Sequence, residues 1–421
     1  MAEFDLGNVI GPKGDRGERG ERGERGEKGE RGEKGERGEK GERGEPGYSV
    51  ILELYGVRID TTDSNPSTAC EYTDAAAGAV PASGNNGSFN GGSWLSRYPF
   101  NKIKPCLLKD GKVVGYLNPY NFAQFEDGTP ADISSGNAGD VMIEIPKFYY
   151  KIARVDKYLE VKISNALMEG FTDYAFSYKG EVKDKFFIGA YLGYKDGSGK
   201  LRSLTGKTVT SNINLGAARA AAQANGAGYE QLSWNKLTAL QVLYLIMFKS
   251  LDSQTALGQG YTNASAYRDT GATDTKGMNY GTNSAASAND TVKFLGMEDF
   301  YGNLCQWVDG CYFAAGVSLI GDGNFNDTGA GYDSYPRNTE TFNYPQPYKD
   351  VEGGNISGFI PKKPGGSQTT FYPDYGYVYT GNVPYFGGSR SDGAYAGAFY
   401  FYCNSASIAS SGIGARLVFC G

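Results

Sequence analysis

The sequence predicts two unlike parts in one chain: a triple-helical stalk, followed by an α+β head with long loops. Three observations carry this expectation. Gly occupies every third position from Gly11 to Gly47 without a break. From Tyr48 onward charge thins out, and Tyr, Phe, Gly and Asn rise. Within that second part, segments with strand alternation surround two stretches with helical spacing.

Residues 11–47 are twelve G-x-y triplets closed by Gly47. Only a triple helix requires that period, because only Gly fits where three chains meet at the axis. Gly at this density also disfavours an α-helix. The collagen-like run is nearly free of proline, with Pro12 and Pro46 at its two ends. Charge stands in proline's place. Eleven acidic residues sit at x and eleven basic ones at y, so the stalk is neutral overall. Exposed pairs of this kind contribute about 0.2–1 kcal/mol each and weaken with salt. A stalk of this length spans roughly 110 Å at about 3.1 Å per residue. The competing reading is a flexible, charge-balanced linker. Residues 1–10 are expected to be an attachment segment.

Composition narrows the function. The 421 residues include no His, and their formal net charge is -6. Without His the usual neutral-pH base, the Ser-His and Cys-His nucleophile pairs and the commonest zinc ligand are missing. Carboxylate and Cys chemistry remain open, yet the balance is against an enzyme. No basic excess is present to neutralise phosphates, which argues against nucleic acid as a partner. The longest apolar run with helical character, residues 239–248, is about half of the ~20 residues a membrane span needs, so no membrane insertion is expected. The first ten residues are too short for a secretory h-region, and synthesis in a cytoplasm is expected. The six Cys (70, 106, 305, 311, 403 and 420) are dispersed without a C-x-x-C pair. They read as small buried hydrophobes, with disulfides such as Cys403 with Cys420 left open.

The head is expected to divide into a β-rich shoulder over residues 48–138 and a receptor-binding domain over residues 139–421. Strands are expected over 51–60, on both sides of a turn at Asp110-Gly111, over 139–154 and over 183–194. Residues 61–98 read as loops. Residues 212–226 form an Ala-rich helix with a Gly stop. Residues 232–250 form a second helix with Ser233 at its N-cap and a stripe of Leu237, Leu240, Leu243, Tyr244 and Met247 facing the core. After residue 252 little further helix is expected.

The order of landmarks in residues 139–421 resembles the C-type-lectin fold in its formylglycine-generating-enzyme-like branch. The G-N-x-x-x-W-V element is matched by Gly302, Asn303, Trp307 and Val308, and the closing strand by Gly414, Ala415 and Arg416. The A-G-A-F-Y stretch with the I-G-A-R ending is similar to receptor-binding proteins of phage tail fibres, some of which are diversified by retroelements. The resemblance implies a C-type-lectin-fold head on the collagen-like stalk, a homotrimer in the virion, and a C-terminal strand and loops that carry a variable receptor site. Its partners would be a host-surface polysaccharide or protein, two further copies of the chain, and the fibre base through the N-terminus. The enzyme branch of the family uses a closely spaced Cys pair. Here Cys403 and Cys420 are seventeen apart in an unlike context, so the activity is not carried over. A bacterial or spore-surface collagen-like adhesin is the alternative, and an enzyme of the same fold is a more distant one.

Candidate site residues follow from strand alternation in residues 398–404. Phe399, Phe401 and Cys403 share one face, and Tyr400, Tyr402 and Asn404 share the other. The second face, with Arg390, Asp392, Tyr395, Ser405 and Ser407 on flanking loops, is expected to be exposed. Tyr385, Phe386 and the aromatic run 371–379 are expected at its rim. Tyr offers rigid amphipathic area, while Ser and Asn adapt their hydrogen bonds. Trp307, Asn303 and Arg416 read as structural, Arg416 through a buried hydrogen-bonded pair. The loop 321–329 places Asp322, Asn324, Asn326 and Asp327 together. It reads as a turn former, with calcium the weaker alternative.

Overall fold

A computed structural model describes residues 52–85, 87–282 and 290–421. The expected attachment segment and the G-x-y stalk lie outside the described residues. Three larger sheets and two longer helices dominate the described residues, with smaller two- and three-stranded sheets and the short helix Ser253–Ala256 among the loops. The first sheet has four antiparallel strands, in the order Cys70–Asp74, Leu54–Asp60, Tyr158–Ser164 and Tyr149–Val155. The second has seven antiparallel strands: Tyr229–Gln231, Leu417–Phe419, Lys185–Gly189, Asp140–Pro146, Lys104–Lys109, Lys112–Asn118 and Asn121–Phe125. The third also has seven: Pro361–Pro364, Gln346–Val351, Tyr372–Tyr377, Phe401–Asn404, Val383–Phe386, Cys305–Trp307 and Ile413–Gly414. It is mixed, with Tyr372–Tyr377 parallel to Phe401–Asn404 and Cys305–Trp307 parallel to Ile413–Gly414.

Local chemistry explains where elements start and stop. The Asp110-Gly111 turn closes its hairpin with both residues at positive φ (49° and 74°), as a two-residue turn of right-handed strands requires. The expected single strand over 139–154 is two strands in different sheets. Pro146 ends the first strand, and Tyr149 opens the second. Residues 61–98 are not all loop: Cys70–Asp74 pairs along Leu54–Asp60, because Cys70 and Tyr72 turn inward to the core.

Helix α1 (Leu215–Gln223) starts at Asn214, whose side chain accepts from Ala217 N at 2.8 Å. Helix α2 (Trp234–Phe248) follows Ser233, but Ser233 makes no cap bond and instead donates to Asn235 Oδ1 at 2.7 Å. A left-handed Lys249 ends it. Every residue of α2 is buried, so the expected one-sided stripe is too narrow. The helix is enclosed on several sides. Tyr72 of the first sheet donates to Ile246 O at 3.0 Å, Trp234 meets Phe401 of the third sheet edge-on at 5.8 Å, and Tyr244 packs on Phe294 and Phe399. An all-round apolar helix is what a central position demands. Its polar residues find partners inside: Lys236 Nζ donates to Ser177 O at 2.8 Å and Gln241 Nε2 to Ala398 O at 2.9 Å.

Residues Glu53–Gly421 form one compact unit. The expected boundary between 138 and 139 is not a structural one, since Lys104–Lys109 and Asp140–Pro146 are neighbours in the second sheet. All six Cys are buried and free, which removes the Cys403–Cys420 disulfide from consideration. No helix among the described residues is long and apolar enough to cross a membrane.

Candidate functional site: a tyrosine row and an adjoining groove

The third sheet carries an aromatic row across four adjacent strands. Register places Tyr377 beside Tyr402, Tyr402 beside Tyr385, and Tyr385 beside Trp307. Ring centroids are 5.0, 5.1 and 5.5 Å apart along that series. Tyr379 extends it past the strand end, parallel to Tyr377 at 6.2 Å. Such pairs contribute about 0.5–1.5 kcal/mol each beyond area burial. The row runs from core to solvent. Trp307 is fully buried, Tyr385 is 7% exposed, Tyr402 and Tyr377 are half-buried, and Tyr379 is 57% exposed.

The inner end is fixed by polar bonds. Trp307 Nε1 donates to Ile213 O at 2.8 Å. Asn303, at φ 60°, accepts from Arg268 N and donates to Arg268 O and Asp299 Oδ2. Arg416 is buried and donates to Gln306 Oε1, Gly189 O, Glu298 O and Asp299 O at 2.7–2.9 Å. Its acceptors are an amide and three carbonyls, so the expected single pair is a four-acceptor clamp between the second and third sheets. Burial lowers its guanidinium to about 10. Asp299 is pushed up to about 8 by burial first and by the Glu298 carboxylate second. Its Oδ1 has no hydrogen-bond partner, which suits a carboxyl that keeps its proton.

The expected patch separates into four groups. Tyr385, Phe386 and Tyr400 are buried, which corrects their assignment to an exposed surface. Tyr400 lies just before the strand Phe401–Asn404, so alternation does not govern it, and it stacks on Tyr385. Arg390 and Asp392 lock a loop. The Arg390 guanidinium lies 4.0 Å over the Tyr267 ring, and Asp392 accepts from Ser389 N and Oγ at 2.6 and 2.7 Å. Tyr402, Asn404, Ser405 and Ser407 are half-buried or exposed, and they adjoin the outer end of the row. Ser405 and Ser407 hydroxyls are 2.9 Å apart.

Tyr395 forms the fourth group. It stacks on Tyr375 at 3.9 Å with an 11° angle between the rings. Both line a groove of about 540 Å³ with Tyr344, Gln346, Gln368 and Thr369. Sequence reasoning missed Tyr344, Gln346 and Gln368. The signal was the Y-P-Q-P-Y run, whose prolines favour extended backbone into the strand Gln346–Val351.

The loop 321–329 is a structural junction. Asp322 accepts from Ser177 Oγ at 2.5 Å and from Gly180 N at 2.9 Å. Asp327 pairs with Arg219, which also forks onto buried Asp309 at 2.7 and 3.0 Å. Asn324 takes a left-handed turn position, and Asn326 bonds Thr328 and Ala330 within the loop. These commitments give the loop the turn-forming, junction role. Among the described residues no group of three or more His, Cys, Asp or Glu could hold a metal ion.

The chain thus joins a collagen-repeat region to a β-rich C-terminal unit with few helices. The family described as collagen triple helix repeat (20 copies) matches residues 8–49. No curated protein matches the chain.

Proposed function

We propose that the chain is the receptor-binding component of a phage tail fibre, a non-enzymatic homotrimer whose C-type-lectin-like head binds a host-surface ligand. The observation that carries this reading is the tyrosine row: a rigid, core-anchored aromatic series emerging beside Asn404, Ser405 and Ser407. Rigid aromatics flanked by short polar side chains make binding surfaces at low entropic cost. The match to collagen repeats supports a three-chain stalk, which would present three such surfaces and gain avidity. The buried Cys residues support a binding role over thiol chemistry. Cys305 and Cys311 thiols are held far above their usual range by burial, where a thiolate nucleophile does not form.

The test is the mass of the full chain in solution, together with its adsorption to bacterial cells. Three times 45.2 kDa, with collagen-like circular dichroism lost on mild heating, is expected. Adsorption is expected to fall at least tenfold in Tyr379→Ala/Tyr402→Ala without loss of folding. A monomeric chain would remove the stalk, and unchanged adsorption would remove the tyrosine surface. Antibody against the head should decorate phage tails. Decoration of cell or spore surfaces instead would favour the adhesin.

A further inference from the structure

The groove beside Tyr395 has a chemistry of its own. Tyr375 and Tyr395 stack almost parallel in its lining, and Tyr344, 62% exposed, lines it as well. Gln346, Gln368 and Thr369 complete the polar part of the lining. Among the described residues, the side-chain amides of Gln346 and Gln368 have no hydrogen-bond partner, so their donors and acceptors are free to face a ligand. No lining residue carries a charge. The platform is firmly built: Tyr372, on the strand that carries Tyr375, stacks on buried Tyr348 at 4.8 Å, and Tyr348 donates to Phe399 O at 2.7 Å.

This combination selects its ligand by elimination. An anionic ligand would find no cation, and a cationic one no carboxylate. A purely apolar ligand would leave the two amides unpaired, at a cost of about 1–3 kcal/mol for each group desolvated. A pyranose ring satisfies all of these demands. Its C–H face stacks on an aromatic ring, and its hydroxyls both donate and accept toward amides. The groove is about 540 Å³ in volume, which suits a few sugar units. We propose that this groove binds a neutral carbohydrate chain, with Tyr344 and Tyr395 as stacking platforms and Gln346 and Gln368 as the hydroxyl readers. The inference rests on the receptor-binding reading and gives the head a second surface, for carbohydrate, apart from the outer tyrosines.

The experiment titrates the full chain with neutral hexasaccharides (malto-, cello-, manno- and galacto-series) and with a heparin hexasaccharide as the charged comparison, by calorimetry. Binding to at least one neutral series is expected, weakened at least tenfold by Tyr344→Ala and by Tyr395→Ala, and unchanged by Tyr379→Ala. Gln368→Ala is expected to shift the preference among the neutral series. No neutral binding, tighter heparin binding, or binding that survives Tyr344→Ala/Tyr395→Ala would overturn the inference. A parallel arm measures adsorption to a strain panel after periodate or protease treatment of the cells. Loss with periodate supports the inference. Loss with protease alone overturns it and leaves the receptor-binding reading standing. Adsorption to no strain, with no glycan bound, overturns both.

Discussion

The two ends of the tyrosine row differ in everything except chemistry. At the inner end, Tyr385 and Tyr400 are buried against Trp307 and behave as core. At the outer end, Tyr377, Tyr402 and Tyr379 keep ring contacts at similar spacing while partly facing water. The residue type is the same and so is the sheet. What changes is position across the sheet, since helix α1 and the second sheet share a core with the inner strands. A tyrosine is therefore a pillar or a contact according to which strand carries it.

The sharpest way to break this comparison is to remove one residue from each end. Tyr385→Ala is expected to cost about 3–5 kcal/mol in chemical unfolding, as truncation of a buried aromatic does. A loss below about 1 kcal/mol would show that the inner end is not core. Next comes the polar support beneath Trp307. Asp299 carries a folded-state pKa raised to about 8, above its unfolded value of about 3.9, with Glu298, Asn303, Arg416 and Arg268 around it. Between those values the folded state holds a proton that the unfolded state has lost. Asp299's contribution to stability therefore falls as pH rises from about 4 to about 8 and is level above that. In Asp299→Asn that part of the pH slope is expected to vanish, measured as unfolding midpoints from pH 4 to 9. Tyr377→Ala is expected to cost about 1 kcal/mol, the worth of its tilted ring contact with Tyr402. Smallest of all, Tyr379→Ala should move stability by no more than about 0.5 kcal/mol. A larger shift there would make the outer end structural too.

Much of this architecture is legible in the sequence, and the failures have physical reasons. The Asp110-Gly111 hairpin and both long helices are set by local turn and spacing chemistry, which a single sequence displays. The alternation of Phe401, Tyr402, Cys403 and Asn404 also reads correctly, because it is a property of one strand. Burial of Tyr385, Phe386 and Tyr400 does not, since it depends on what lies over the sheet. The loop 321–329 shows the same limit. Its oxygens look like a cation site until Arg219 and Ser177, 108 and 145 positions away from their partners, are seen to occupy them. The groove escaped for a related reason: Tyr344, Gln368 and Tyr395 meet only in three dimensions.

The strand Leu417–Phe419 has a consequence in time. It lies between Lys185–Gly189 and Tyr229–Gln231, with Phe419 opposite both Phe187 and Tyr229. A ribosome adding about 5–20 residues per second needs on the order of 10–50 s to travel from Phe187 to Phe419. Throughout that interval the edge of Lys185–Gly189 waits for its neighbour, and an unpaired edge is an invitation to another chain. Copies of the chain made on one messenger would pass through that window side by side. The sequence order of this sheet thus sets a quality-control problem during synthesis, which a chaperone or faster elongation would ease.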